Sequence, residues 1–458
     1  MLSAALTLCL LLQAAALPRR AARPNLISIV ADDLGRWAVG AYGNAEVRTP
    51  NLDRLAREGI RFTNAVAATP VCSPSRATWF TGRYPSELGI RDWISSSEAR
   101  EGVGLRHRSW VEDLKEAGYE TALFGKWHLG TLRSFHPTRH GFDTFLGFLG
   151  GGNRPMDPVL EEEGRTRRFV GPLPDILTDA AIAFLERKRT GPFLICLHFR
   201  APHLPYGPVP EVDRRPFDRL EPTVPRIPWL DRGKLVRSTR AYYASIHSVD
   251  RNVGRLLAAL DRLKLAEDTI VLFTSDHGYN EGRHGIDTKG NGHWIAGGVR
   301  GPKRPNMWET SIAIPWILRW PGRIPPGSAL DVPAGTIDAY RTILGLCGVP
   351  PPEGCEARGR NLAPGILGRG SLPERPWLFG QYDLHNFGLA YLRMVRGRRF
   401  KLVKRLRARG LDELYDLRED PGERRNLYAR FLRDPSRRPI LDRLLEALGT
   451  WRKKIGDD

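Results

Sequence analysis

The dominant pattern along this chain is a set of short apolar runs that stop abruptly on charged or polar residues. They lie at 25–30, 119–124, 192–199 and 269–274. Runs with little polar alternation suit strands buried on both faces, as in a parallel sheet. Between them the apolar residues recur at helical spacing. Thr49-Pro50-Asn51 opens a helix with Leu52, Leu55 and Ala56 on one face, and further helices are predicted over 109–117 and 178–187. The longest helix, 235–263, carries Ile246, Val249, Val253, Leu256, Leu257 and Leu260 on one stripe. Strands alternating with helices predict an α/β fold with a large mixed, mostly parallel sheet flanked by helices. Residues 60–62 read as extended, 141–152 as a glycine-rich loop, and 205–232, rich in Pro and charge, as a surface excursion. From about residue 373 the texture changes. A hairpin at 392–395 and 399–403, a strand at 413–417 and a helix at 440–451 predict a small antiparallel sheet with a helix. The expected division is a leader at 1–23, a main α/β domain at 24–370 and an α+β subdomain at 371–458.

Composition narrows the class. At 458 residues, with 41% hydrophobic content, the chain can bury a large core, and its 36 Pro and 47 Gly argue against a helical bundle. Residues 6–16 are apolar, end at Ala14-Ala15-Ala16 and are followed by Arg19, Arg20 and Arg23. This reads as a secretory signal peptide cleaved near Ala16, which predicts an exported, periplasmic or secreted protein with no membrane span after cleavage. The net charge of +19 favours anionic partners, but no zinc-finger or RNA-recognition spacing accompanies it, so nucleic acid is not expected. Of five cysteines, Cys9 leaves with the leader and Cys196 lies in an apolar run. Cys347 and Cys355 flank a short loop where either a local disulfide or two thiols would fit.

The candidate chemistry sits directly after the four apolar runs: Asp32-Asp33, Lys126-Trp127-His128, His203 and Asp276-His277. In open α/β sheets, sites form outside the carboxyl ends of the strands, so these clusters are expected to converge. Asp32, Asp33, Asp276 and His277 make a candidate divalent-cation site. Carboxylates suit Ca²⁺ or Mg²⁺, and the histidine admits Mn²⁺. Lys126, His128 and His203 suit acid–base work on an anion. The remaining piece is Cys72-Ser73-Pro74-Ser75-Arg76. Ser73 as a cap and Pro74 at the first position would start a helix whose free N–H groups, with Arg76, could hold an anion beside a cysteine.

These segments resemble the formylglycine-dependent sulfatases of the alkaline phosphatase superfamily. The resemblance runs over nearly the whole chain after the leader. It rests on 30–35, 49–53, Cys72-Ser73-Pro74-Ser75-Arg76, 81–85, 125–130, 141–143, Ala201-Pro202-His203 and 274–278, with 413–417, 420–421 and 426–427 resembling the family's end domain. It implies an alkaline phosphatase-like fold and a sulfatase of arylsulfatase type, acting on a sulfated carbohydrate or aryl sulfate. It implies that Cys72 is oxidised to formylglycine by a maturation enzyme, and that one hydroxyl of the hydrated aldehyde attacks sulfur. The implied metal ligands are Asp32, Asp33, Asp276, His277 and the group derived from Cys72, with Ca²⁺ the first expectation. Arg76 would steady the hydrated aldehyde, Lys126 and Lys289 would bind sulfate, His128 would deprotonate the second hydroxyl, and His203 would protonate the leaving oxygen. Two departures keep alternatives open. His277 stands where many members carry Asn, which admits a phosphonate monoester or phosphodiester hydrolase. An apparent insertion at 293–305 brings Lys303 as a rival to Lys289. A polyanion-binding relative without catalysis is the third reading.

Overall fold

The computed structural model describes residues 23–292, 304–372, 374–386, 388–407 and 411–457. The predicted leader, with Cys9, and Lys303 lie outside the described residues, apart from Arg23.

The four apolar runs form the middle of a ten-stranded sheet. Strand Asn25–Asp32 lies between Thr269–Ser275 and Phe193–Pro202, parallel to both, and Glu120–Lys126 continues the parallel order beyond Phe193–Pro202. Thr144–Phe148 adds a fifth parallel strand. This corrects the glycine-rich loop expected at 141–152: Phe145, Leu146 and Phe148 are buried, and sheet pairing overrides the local glycines. Hairpin Val159–Glu162 and Arg165–Arg168 closes that edge antiparallel. On the other side Trp316–Arg319 runs antiparallel to Thr269–Ser275, followed by Ile60–Phe62 and Ser328–Leu330.

Both faces of the sheet are covered, which is why its central strands lack polar alternation. From Asn25–Asp32, Leu26 and Val30 enter one core with Trp79, Phe80, Trp110 and Trp127. Ile27, Ile29 and Ala31 enter the other, with helices Leu173–Leu185 and Arg232–Arg262. Helix Pro50–Arg57 packs in the second core and is capped at long range. Thr49 does not cap it. Instead the buried carboxylate of Asp250, on the long helix, accepts hydrogen bonds from Asn51 N at 3.0 Å and Leu52 N at 2.8 Å.

The C-terminal sheet has four antiparallel strands: Leu378–Leu384, Ala390–Arg396, Phe400–Arg405 and Glu413–Asp416. Helices Tyr428–Arg433 and Arg438–Lys454 cover it. The strand at 378–384 was not among those predicted. A charged knot ties this sheet to the segment leading into strand Trp316–Arg319 of the large sheet: Glu309 accepts from Arg396 Nε and Nη2, both at 2.8 Å, and from Lys401 Nζ at 3.1 Å. Cys347 and Cys355 are both free thiols. No helix among the described residues is long and apolar enough to cross a membrane.

The Asp250 cap can be tested directly. Asp250→Ala strands two buried helix N–H groups and should lower unfolding stability by about 1–3 kcal/mol. The expected result in urea is a lower midpoint with an unchanged slope.

Candidate active site

Four neighbouring strands deliver their end residues to one place. Asp32 and Lys126 close their strands, while His203 and Asp276 follow theirs by one residue. Asp33 turns the chain away in the left-handed region, at φ 66°, and His128 does the same at φ 59°. Such positions are strained for residues other than Gly and persist only where the surroundings hold them. Tyr242 Oη holds the first of them: it donates to Asp33 O at 2.7 Å and accepts from Gly35 N at 3.2 Å.

Cys72 arrives from the opposite direction, as the first residue of the wholly buried helix Cys72–Thr81. The helix starts earlier than expected. Val71 occupies the cap position without a side-chain hydrogen bond, and Pro74 sits third rather than first. Ser73 does not cap either; its Oγ accepts from Ile94 N at 2.9 Å, in the loop that walls the cavity. The early start leaves Cys72 inside the first turn, with its side chain facing the strand ends.

There it meets the polar clusters. Lys289 Nζ lies 3.1 Å from Cys72 Sγ and donates to Asp33 Oδ1 at 2.6 Å. His277 Nε2 lies 3.5 Å from Cys72 Sγ and 3.3 Å from Asp33 Oδ1. Lys126 Nζ donates to Asp32 Oδ2 at 2.6 Å. Arg76, one turn along the helix, places Nε and Nη2 each 3.0 Å from Asp276 Oδ2, and Ser75 Oγ donates to Asp276 O. His203 Nε2 stands 3.7 Å from Asp33 Oδ2. All ten residues named from the sequence therefore meet in one region. Nine are buried, and His203 keeps about a quarter of its side chain exposed at the mouth.

The electrostatics follow from this crowding. Burial alone would raise the Cys72 thiol, but Lys126 and Lys289 bring it well below its ordinary value. Burial, with Lys126 adding to it, lowers His128, so that ring is neutral. His128 Nε2 faces Ile94 O at 3.1 Å, so Nε2 carries the hydrogen. The lone pair is then on Nδ1, which has no hydrogen-bond partner among the described residues. Burial likewise lowers His203, against the pull of Asp33.

The donor set fits a divalent cation. Ligand atoms of Asp32, Asp33, Cys72 and His277 all lie within 4.8 Å of one another. Asp32 Oδ1 is buried without a hydrogen-bond partner. His277 Nδ1 donates to Gly278 O at 2.8 Å, which points Nε2 toward the carboxylates; against the effect of burial, Asp276 raises this ring to about 9, so a cation bound here would take the place of the Nε2 proton. Asp276 stands at the rim of this group, with Oδ1 3.6 Å from His277 Nε2 and Oδ2 engaged by Arg76. Burial drives Asp276 up to about 7, against the pull of His277 and with Asp32 adding repulsion. A cation in the cluster would relieve that charge crowding.

Asp33 and Cys72 of this group, with His128, His203 and Lys289, line the floor of a cavity of about 390 Å³. Its walls include residues that strand-end reasoning missed: Trp93, Ile94 and Ser96 from the loop after the Cys72 helix, and Leu384 and Asn386 from the C-terminal sheet. Asp92 locks the two loops together, accepting from Tyr382 Oη at 2.9 Å, Asn386 N at 3.0 Å and His385 N at 3.1 Å. No spacing pattern announces such wall residues, because they sit on loops joined only by the tertiary fold. His198, whose Nδ1 is 3.5 Å from Arg76 Nη1, was also missed, hidden in the middle of an apolar run.

Comparison with known proteins agrees with this geometry. Residues 24–349 match the family described as Sulfatase, and residues 302–454 match the one described as N-sulphoglucosamine sulphohydrolase, C-terminal. The chain is 33% identical to the steryl-sulfatase of Homo sapiens, over 82% of this chain and 74% of that protein. It is 32% identical to the N-acetylgalactosamine-6-sulfatase of Canis lupus familiaris, over 79% and 71%. The solved structure of BT4656 in complex with its substrate D-glucosamine-2-N,6-O-disulfate superposes with a TM-score of 0.80 at 25% identity, covering 95% of this chain and 99% of that one.

The Arg76 clamp makes a quantitative prediction. Arg76→Met keeps side-chain bulk but leaves buried Asp276 without its cation. Unfolding stability should fall by about 3–5 kcal/mol in denaturant titration, whereas a loss below about 1 kcal/mol, the range of exposed pairs, would show that the pair contributes little.

Proposed function

The chain belongs to the sulfatase family and is a sulfuric ester hydrolase; from this we propose that it removes sulfate from a sulfated carbohydrate, through a formylglycine made from Cys72 and a divalent cation. The observation that carries the reading is the placement of Cys72 Sγ on the floor of the cavity, 3.1 Å from Lys289 Nζ and 3.5 Å from His277 Nε2.

In this reading Asp32, Asp33, Asp276 and His277 hold the cation, with Ca²⁺ preferred for its oxygen-rich ligands. When bound, it supplies Lewis-acid neutralisation of sulfate charge. Oxidation of Cys72 by a maturation enzyme supplies a carbonyl that, once hydrated, offers an oxygen nucleophile. The chain's own residues do the rest. Lys126 and Lys289 present fixed cations to the sulfate oxygens in a site shielded from water, where such charges act strongly. Arg76 holds Asp276 in place. His128, neutral and with Nδ1 free, is the base. His203, at the mouth, is placed to protonate the departing sugar oxygen from Nε2 in its imidazolium form, which the Asp33 carboxylate favours, while Leu204 O fixes the ring by accepting from Nδ1 at 2.7 Å. The carbohydrate assignment rests on the cavity's polar wall residues Ser96, Asn291 and Asn386. The named substrate of the BT4656 structure lends support. Export through the leader at 1–23 belongs to the same reading.

Two experiments bear on it. Protein made with an active maturation system should yield a tryptic peptide 62–76 with an aldehyde in place of the Cys72 thiol. Cys72→Ser should abolish turnover of 4-nitrophenyl sulfate yet still bind Ca²⁺ in calorimetry. An unmodified thiol together with full turnover would sink the mechanism. A kcat/KM higher on a 4-nitrophenyl phosphodiester than on the sulfate would assign the site to phosphorus instead.

The role of His203 separates by leaving group. His203→Ala should lower kcat on alkyl or sugar sulfates by about 10²–10⁴-fold. It should have far less effect on 4-nitrophenyl sulfate, whose phenolate departs without a proton. Equal losses on both substrates would exclude the proton-donor role.

A further inference from the structure

A second cavity, about 860 Å³, lies between the C-terminal helix Arg438–Lys454 and the main domain. It shares no residue with the catalytic cavity and is about twice its size. Its volume falls in the range that accommodates small-molecule ligands. The charge on its walls is not balanced. Arg358 is neutralised by Glu87, Arg375 by Asp338, and Glu356 by Arg83. Three cations then remain. Among the described residues Arg341 donates only to the backbone carbonyls of Ala357 and Cys355. Arg443 stacks over the Trp377 ring at 5.9 Å, and exposed Lys454 lines the far end. Glu446 is the acidic lining residue left to oppose them.

The apolar part of the wall is aromatic. Trp377 and Phe379 are partly exposed, and Phe379 stacks face to face on Trp451, with ring centroids 5.0 Å apart and planes 4° apart. Ring faces next to unneutralised guanidinium and ammonium groups suit a ligand with flat C–H faces and anionic substituents: a sulfated sugar. The rings pack on the sugar face, and the cations meet the sulfates.

We propose that this groove is a second, non-catalytic binding site for sulfated carbohydrate. The choice of polymer rests on the proposed function, but binding at the groove does not require turnover.

The test uses the full chain and separates the two claims. Binding of heparin and of unsulfated dextran is measured by isothermal titration calorimetry. The proteins are the wild type, the groove variant Arg443→Ala/Lys454→Ala, Trp377→Ala, and the control Arg165→Ala/Arg167→Ala on the exposed edge strand Arg165–Arg168. All four substitutions by charge removal are at exposed positions, so a matching thermal midpoint is expected in each double variant. The groove variant should bind heparin about tenfold more weakly or worse, while the control shifts it less than about threefold and dextran does not bind. The kcat/KM for 4-nitrophenyl sulfate should stay at the wild-type value in the groove variant, so failure of the catalytic reading appears separately, as absent turnover with intact heparin binding. The proposal is overturned if the wild type does not bind heparin, if the groove variant binds as the wild type does, or if the control loses as much, which would make the attraction a general effect of net charge. Single-stranded RNA competing as well as heparin would also overturn it.

Discussion

The structure depends on a buried balance of charge. Asp32, Asp33 and Asp276 are each at most 3% exposed, and Arg76, Lys126 and Lys289 face them at 2.6–3.0 Å. Moving a single such ion from water into a medium like the protein interior costs on the order of 20 kcal/mol in the idealised limit, so no member can be buried alone. The pairing therefore dictates placement. The Cys72 helix must begin where Arg76 can reach Asp276, and the loop carrying Lys289 must fold back over Asp33. The stable arrangement is also a reactive one, because the balance leaves Asp32 Oδ1 without a hydrogen bond, with Arg76 Nη2 standing 3.8 Å away, and Asp276 crowded.

Much of this was legible in the sequence because the central strands are continuous and apolar. A run such as Asn25–Asp32 announces burial on both faces, and its abrupt polar end announces the edge where sites form. The position of Cys72 in its helix was harder to read. Ser73 and Pro74 looked like a cap and a first residue, but the tertiary partner Ile94 N claims the Ser73 hydroxyl. The cap of Pro50–Arg57 was invisible for the same reason: Asp250 lies 199 residues beyond Asn51. Strand Thr144–Phe148 was lost among glycines, since pairing with Glu120–Lys126 is a long-range property that local composition does not carry.

The C-terminal sheet is part of the site rather than an appendage. Glu309 opens the short helix Glu309–Ile312 just before strand Trp316–Arg319 of the large sheet, and its pairs with Arg396 and Lys401 fix the small sheet's position. Asp92 then ties Tyr382 and Asn386 to the loop carrying Trp93. The catalytic floor comes from strand ends, whereas one wall of the cavity comes from a different sheet. Substrate preference can thus change on the wall while the floor stays constant, because the charge balance below does not involve Leu384 or Asn386.

The depth of Cys72 imposes an order of events on the protein's synthesis. Its side chain is 2% exposed, at the head of a helix buried at every residue, in the lining of a cavity of about 390 Å³. In the reading proposed above, the enzyme that oxidises this thiol would therefore meet the segment 72–76 as an open, extended peptide. Conversion and folding then compete for the same nascent chain. On that reading a molecule that closes first would be locked as a thiol, and the active fraction of a preparation would record which process was faster.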